Sequence, residues 1–94
     1  MRTNHGKEKK MQKYIQIYLK HFDFTEYDVY CERCGHRAED IHHINNRGKD
    51  KDVVENLIAL CRDCHILAHA SKEYISKQEF QTIHNNFLKR HGYK

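Results

Sequence analysis

Two pairs of cysteines in this chain have the spacing of zinc-binding turns. The first pair is Cys31-Glu-Arg-Cys34, followed by Gly35, and the second is Cys61-Arg-Asp-Cys64, with 26 residues between them. Each turn brings two sulfurs together, so the two turns can place four thiolates around one tetrahedral Zn²⁺. Four thiolates leave no open coordination position, so we expect this zinc to stabilise the fold without catalysing a reaction. The alternative is that the thiols serve redox chemistry or are unrelated.

Histidine is the second residue type that could do chemistry, and the chain has nine of them. His42 and His43 are adjacent in a segment with strand-like isoleucines on either side. Because successive side chains of a strand point to opposite faces, we expect these two to have different roles. His65 and His69 are four residues apart, which places both on one face of a helix, as in other helical metal sites. The remaining histidines are expected to be surface or hydrogen-bonded core residues: His5, His21, His36, His84 and His91.

The composition indicates one small domain that needs a crosslink or a metal. With 94 residues, 38% of them hydrophobic and no tryptophan, the core alone would be marginal. The four cysteines fit either two disulfides in a secreted chain or one metal site in a reducing compartment. Residues 1–14 lack the apolar centre of a signal peptide, and no segment could span a bilayer. We therefore expect a soluble cytoplasmic protein with no membrane partner, in which the cysteines bind metal.

Charge is unevenly distributed along the chain. Residues 1–22 carry six Lys or Arg and one Glu, and residues 71–94 carry five Lys or Arg and two Glu. The central residues 23–70 carry six Lys or Arg against ten Asp or Glu. Basic ends around an acidic centre fit a chain whose ends meet a polyanion while its centre collects cations. Solvated Lys-rich helix faces fit the same pattern, so charge alone does not decide the function.

Helices are predicted on both sides of the central unit. From Lys7 onwards, apolar residues recur at the spacing of one helical stripe, which is typical of a core-facing helix. The stripe consists of Met11, Tyr14, Ile15, Tyr18, Leu19 and Phe22. Towards the other end, Ser76 and Glu79 have the spacing of a capping box, and Gly92 follows the expected end of the helix.

Together, the central segments resemble the zinc-bearing HNH endonucleases. The resemblance covers residues 29–70 and is carried by the CxxCG turn, the Asp40-Ile-His-His-Ile44 segment and ENLIALCRDCH over residues 55–65. It implies an α+β fold built on a small ββα-metal unit, similar to a treble clef. That unit would hold the structural four-cysteine zinc site, and here it would be flanked by N- and C-terminal helices.

The resemblance and the predicted helices divide one domain, residues 1–94, into three parts. These are a basic N-terminal helix and connection (1–28), the ββα-metal core (29–70) and a C-terminal helix (71–94). Within the core, the resemblance implies a hairpin with strands near residues 39–44 and 57–61, then a helix over about residues 62–70.

The resemblance also assigns roles to the matching positions. His43, the second of the doublet, would be the general base that takes a proton from the attacking water. His42 and His65 would bind one catalytic divalent cation, Mg²⁺, Mn²⁺, Ni²⁺ or Zn²⁺, which stabilises charge on the phosphate and on the departing 3′ oxygen. Asn56 would brace the loop between the strands so that His43 keeps its orientation.

For two residues near the expected cation, His69 and Asp40, the resemblance leaves the role undecided. Colicin-type nucleases use two helix histidines four apart as ligands, whereas many other members use only the first. His69 is therefore either a third ligand, which we favour, or a helix residue without such a role. Asp40 lies two residues before His42 and should share its strand face, where it could support a ligand.

The loop over residues 45–52 is polar, contains glycine and carries both signs of charge. It is either an ordinary solvated loop or a phosphate-binding one, in which Arg47, Lys49 and Lys51 contact nucleic acid beside the site. No element is typical of a base-reading module, so strong sequence specificity is not expected.

The expected function is a metal-dependent DNA endonuclease that hydrolyses phosphodiester bonds. One centre per chain makes a nick the natural event. Two alternatives belong to other classes: a non-catalytic nucleic-acid-binding zinc module, and a structural or protein-interaction zinc domain. Neither requires His42, His43, Asn56 and His65 to occur together at the family's spacing. No residue pattern indicates a protein partner or an oligomeric state.

Overall fold

The computed structural model describes residues 12–48, 50–70 and 75–91. Residues 7–11 of the predicted N-terminal stripe, together with His5, Lys49 and Gly92, lie outside the described residues. The described elements are α1 (Lys13–Phe22), β1 (Asp40–His43), a short 3₁₀ turn (Val54–Asn56), β2 (Leu57–Leu60), α2 (Arg62–Ala70) and α3 (Lys77–Arg90). None of the helices in the described part of the chain is long and apolar enough to cross a membrane.

The two strands form an antiparallel hairpin that leads directly into α2. Asp40 pairs with Leu60 at one end of the ladder, and His43 pairs with Leu57 at the other. The α+β class and the predicted order of strand, strand and helix are confirmed, with one further helix on each side. This hairpin and α2 together carry the histidines singled out above.

Strand β2 is buried on both of its faces, which explains its continuous apolar sequence Leu-Ile-Ala-Leu. Leu57 and Ala59 face α1, where they pack with Tyr18 and Leu19. Ile58 and Leu60 face the opposite side, where their cluster includes three of the four cysteines and apolar residues of α3. The sheet is therefore a middle layer between α1 on one side and α2 and α3 on the other.

Of the flanking helices, α1 begins at Lys13, later than the apolar stripe from Lys7 predicts, and α3 begins after Ser76, as its capping box predicts. Asp23 ends α1 in a left-handed conformation, with φ of 62°, and its backbone N–H bonds back to the last turn. Ser76 caps α3, because its side chain accepts a hydrogen bond of 3.0 Å from the backbone N–H of Glu79. Buried residues of α3 then recur every four positions, at Phe80, His84 and Leu88.

A buried carboxylate, that of Glu32 between the first two cysteines, joins α1, β2 and α3. Its side chain is fully buried and accepts hydrogen bonds from the Tyr18 hydroxyl, the Ala59 backbone N–H and His84 Nδ1, the last at 2.8 Å. The other ring nitrogen of His84 donates to the carbonyl of Val54 at 2.6 Å. Both ring nitrogens of His84 are thus bonded to oxygen atoms, and its contact with Glu32 is completely buried.

Replacing His84 with alanine should leave Glu32 as a buried charge without its main partner. We expect the free energy of unfolding to fall by about 3–5 kcal/mol, the usual effect of breaking a buried ion pair. Urea denaturation of the zinc-loaded protein, followed by circular dichroism, measures the change. Asn86→Ala, at an exposed position of the same helix, is the control and should change stability by no more than about 0.5 kcal/mol. Equal stability of the two variants would contradict this role of the pair.

Candidate metal centres and catalytic cleft

The four cysteines converge on one point, and their geometry fits a structural zinc ion. All four sulfurs lie within 4.8 Å of one another, close to the separation of about 3.8 Å that a tetrahedral zinc with four thiolates requires. Cys34 is exposed and the other three are buried. Within each pair, the backbone N–H of the second cysteine points at the sulfur of the first, at 3.4 Å and 3.5 Å.

The first turn is closed by glycine and connected to the hairpin. Gly35 has a φ of +85°, a conformation that side-chain-bearing residues rarely adopt, and its N–H bonds to the carbonyl of Cys31 at 3.0 Å. The N–H of Glu32 then bonds to the carbonyl of Ala59 in β2 at 2.9 Å. The first cysteine pair is therefore held against the strand that leads into the second pair.

A second cluster consists of His42, His65 and His69, whose nitrogens also lie within 4.8 Å of one another. The ring of His42 on β1 lies 4.9 Å from that of His65 and 5.1 Å from that of His69, between centroids. The two helix histidines approach to 3.2 Å between their Nε2 atoms. Three imidazoles can hold a divalent cation and still leave coordination positions open for substrate or water. His69, for which the sequence left two readings, lies within this cluster.

Asp40 orients His65. Its carboxylate thus bonds to a histidine of α2 and not to His42 on its own strand. Asp40 Oδ2 lies 2.9 Å from His65 Nδ1, which turns His65 Nε2 towards the cluster. Arg62 donates to the same carboxylate at 3.0 Å. Partial burial opposes ionisation of Asp40, but the hydrogen bonds from His65 and Arg62 hold its pKa below the usual value. A carboxylate bonded to one ring nitrogen in this way fixes which nitrogen can bind metal.

The protonation of His42 is disfavoured by its surroundings. Burial, followed by the neighbouring His65 and His69, lowers the pKa of His42 to about 4. The ring therefore remains neutral in mildly acidic solution, with a lone pair available to a cation. Imidazoles crowded around one point behave in this way because each protonated ring would repel the next.

His43 lies on the opposite face of β1, as strand alternation predicts. The residue is buried, and the Tyr14 ring lies against it with 4.6 Å between ring centroids. Its Nε2 lies 2.8 Å from Asp52 Oδ1. Its Nδ1 is buried and has no hydrogen-bond partner among the residues that the structure describes.

Asn56 closes the loop that joins the strands. The side chain is buried, and its Oδ1 accepts a hydrogen bond of 2.8 Å from the backbone N–H of Asn45. Its Nδ2 donates to the carbonyls of Asn46 and Lys51, at 3.2 Å and 3.1 Å. One amide group thus joins both ends of the loop next to His43.

One cleft of about 450 Å³ brings these groups together. Its walls include all four histidines and two cationic side chains: His42, His43, His65, His69, Arg47 and Lys77. The Arg47 guanidinium lies over the Tyr14 ring, 5.6 Å from its centroid. Lys51 lies instead in a separate depression beside Asn56. Of the three residues predicted to contact phosphate, Arg47 lines this cleft and Lys51 does not. Lys49 is not among the described residues.

Sequence reasoning did not single out Asp52 as a partner of His43, nor Lys77 as a cleft residue. Tyr14 was assigned to the core because it belongs to an apolar stripe, yet it also lines the cleft and contacts His43. The signal for Asp52 was weak: an acidic residue near the end of a loop already rich in charge. No local pattern connects it with a histidine nine positions earlier.

Comparison with known proteins agrees with the interpretation of the central unit. The family model described as HNH endonuclease matches residues 31–71, which include both cysteine pairs, the histidine doublet and α2. Neither curated proteins nor solved structures gave a significant match. The central unit is thus similar to an HNH endonuclease domain over residues 31–71, and its four-cysteine cluster is consistent with the zinc-bearing members of that family. An HNH domain indicates a nuclease or nucleic-acid-binding role.

The cysteine cluster predicts one tightly bound zinc per chain, and Cys61→Ser should remove it. Zinc-finger sites contribute roughly 10–16 kcal/mol of apparent binding free energy, as much as the whole stability of a typical domain. We therefore expect the variant to lose both zinc, measured by elemental analysis, and cooperative unfolding, measured by circular dichroism. Asp63→Ser, an exposed change between the same two cysteines, should retain both. A folded Cys61→Ser protein, or a wild-type protein without zinc, would overturn the assignment.

Proposed function

We propose that this chain is a metal-dependent endonuclease that hydrolyses DNA phosphodiester bonds and makes single-strand nicks. The observation that carries the proposal is the pair His42 and His43 at the wall of one cleft. One ring belongs to a three-imidazole cluster, and the other has a buried nitrogen with no hydrogen-bond partner among the described residues. A cation ligand and a proton acceptor are the two components that hydrolysis of a phosphodiester requires.

The histidine cluster would hold the catalytic cation. A divalent ion bound by His42, His65 and His69 would supply charge stabilisation at the phosphate and at the departing 3′ oxygen. Asp40 keeps Nδ1 of His65 occupied, so that its Nε2 faces the cluster. Since these ligands are separate from the four cysteines, the catalytic ion and the structural zinc can be removed independently.

His43 would act as the general base. Its Nδ1 takes a proton from the attacking water, while Nε2 remains bonded to Asp52. Tyr14 packs against the ring and limits its rotation. Asn56 would act indirectly. Its hydrogen bonds hold the loop next to His43, and none of them is to His42 or His43.

The positively charged groups of the cleft would bind the DNA backbone. Arg47 and Lys77 both line it, and backbone contacts of this kind depend little on base sequence. Lys49 and Lys51 remain proposed contacts with DNA, and Lys51 lies in a separate depression. A non-catalytic binding module would need the same cationic side chains, but it would have no use for three converging imidazoles or for a His43 Nδ1 that no described residue bonds.

The doublet can be tested by comparing His43→Ala with His42→Ala in nicking of supercoiled plasmid with Mg²⁺, Mn²⁺, Ni²⁺ or Zn²⁺. His43→Ala should lose cleavage by about 10²–10⁴-fold, the usual contribution of a positioned general base, while it still binds the cation. His42→Ala should lose both cleavage and cation binding, measured by calorimetry on protein whose structural zinc is retained.

The control for this comparison is His91→Ala, a histidine replaced at the exposed end of α3. It should nick like the wild type. If His43→Ala is the variant that loses the cation, the roles within the doublet are reversed. If wild-type protein binds DNA but nicks it with none of the four cations, the chain is a binding module.

Arg47→Ala should weaken DNA binding by a similar factor on unrelated sequences. The loss of one phosphate contact should also reduce the slope of log affinity against log salt by about 1. Fluorescence anisotropy over a range of salt concentrations measures both. Lys89→Ala removes the same charge from an exposed position of α3 outside the cleft and should leave the slope unchanged. Equal slopes for the two variants would exclude Arg47 from the interface.

A further inference from the structure

We propose that Asp52 is a positioning residue for His43: it fixes the orientation of the imidazole ring and keeps its hydrogen on Nε2. The catalytic consequence rests on the proposed nuclease function. The effect on the ring itself does not, and the two can be measured separately.

The contact with Asp52 determines which ring nitrogen carries the hydrogen. Asp52 Oδ1 lies 2.8 Å from His43 Nε2, and a carboxylate oxygen can only accept a hydrogen bond from a neutral imidazole. Nε2 therefore carries the hydrogen, and the lone pair belongs to Nδ1. The side chain of His43 is 5% exposed and that of Asp52 is 39% exposed. The histidine side of this contact is thus largely shielded from water.

The lone pair on Nδ1 is kept free by its surroundings. This atom is buried and has no hydrogen-bond partner in the described part of the chain. An imidazole turned by 180° about its Cβ–Cγ bond would place the carbon Cε1 beside Asp52 instead of Nε2 and would lose this hydrogen bond. The carboxylate therefore favours the orientation that the structure has. In this orientation Nδ1 has no partner among the described residues, so its lone pair can accept a proton from a donor outside them. In the proposed reaction that donor is the attacking water.

The position of Asp52 is itself restrained by the hydrogen bonds of Asn56 to the loop. Asn56 Nδ2 donates to the carbonyl of Lys51, the residue directly before Asp52, at 3.1 Å. On the other side of the imidazole, the Tyr14 ring packs at 4.6 Å between centroids. The His43 ring is thus bonded at one nitrogen and covered on one face. Asn56 can therefore influence His43 without contacting it. It holds the Lys51 carbonyl, and the next residue, Asp52, bonds to His43.

The test combines a spectroscopic readout with kinetics on the full-length, zinc-loaded protein. ¹⁵N NMR of the histidine rings distinguishes the two neutral tautomers, and His43→Ala identifies the His43 signals. We expect the Nε2–H tautomer in the wild type and a mixture of tautomers in Asp52→Ala. In plasmid nicking, Asp52→Ala should lower kcat by about 10–100-fold, the usual effect of removing the partner that orients a functional histidine, with KM little changed.

Two further variants make the result specific. Asp52→Glu preserves the carboxylate and should recover part of kcat. Glu55→Ala removes the same charge at an exposed position three residues away and should leave kcat and the tautomer unchanged. The proposal is overturned if the wild type has the Nδ1–H tautomer, or if Asp52→Ala and Glu55→Ala have the same kcat. If the tautomer responds as expected but no variant nicks DNA, the positioning contact stands and the nuclease function fails.

Discussion

The carboxylate of Glu32 is the interaction on which the arrangement of the helices depends. A buried charge is costly unless its hydrogen-bonding capacity is filled, and here the donors come from α1, β2 and α3. Burial, together with the neighbouring carboxylate, raises the pKa of Tyr18, so its hydroxyl remains a donor. Because Glu32 also lies between Cys31 and Cys34, the metal-binding turn and the helical packing are properties of one short segment. Loss of any one of these donors should therefore weaken the packing of all three elements around Glu32.

The two proposed metal sites both take residues from the start of α2. Cys64 belongs to the four-thiolate cluster, and the next residue, His65, belongs to the histidine cluster. A zinc ion that fixes Cys61 and Cys64 would therefore also fix the first turn of the helix that carries His65 and His69. Asp40 and Arg62 add a connection from β1 to the same turn. The proposed structural site is thus adjacent in the chain to the proposed catalytic one.

Local periodicity explains how much could be predicted from the sequence. The Ser76 cap and the opposite orientations of His42 and His43 follow from patterns within a few residues. The hairpin and the bounds of α2 follow from the resemblance to the HNH family, and the described structure has all four features. The pairing of Asp52 with His43 and of Glu32 with His84 could not be predicted in this way. These partners are 9 and 52 residues apart, and their contacts depend on how side chains pack after the elements have come together.

The burial of β2 on both faces has a consequence for strand register. A strand with alternating polar and apolar residues resists slippage, because a shift by one residue would expose its core face. Leu57–Leu60 has no polar face and so provides little such resistance. The hairpin is instead held at its ends, by the backbone bonds of Glu39 with Leu60 and of Ile44 with Asn56, at 3.0 Å and 2.9 Å. A slip of one residue in β1 would exchange His42 and His43 between the two faces, so the roles proposed for the two histidines depend on this register.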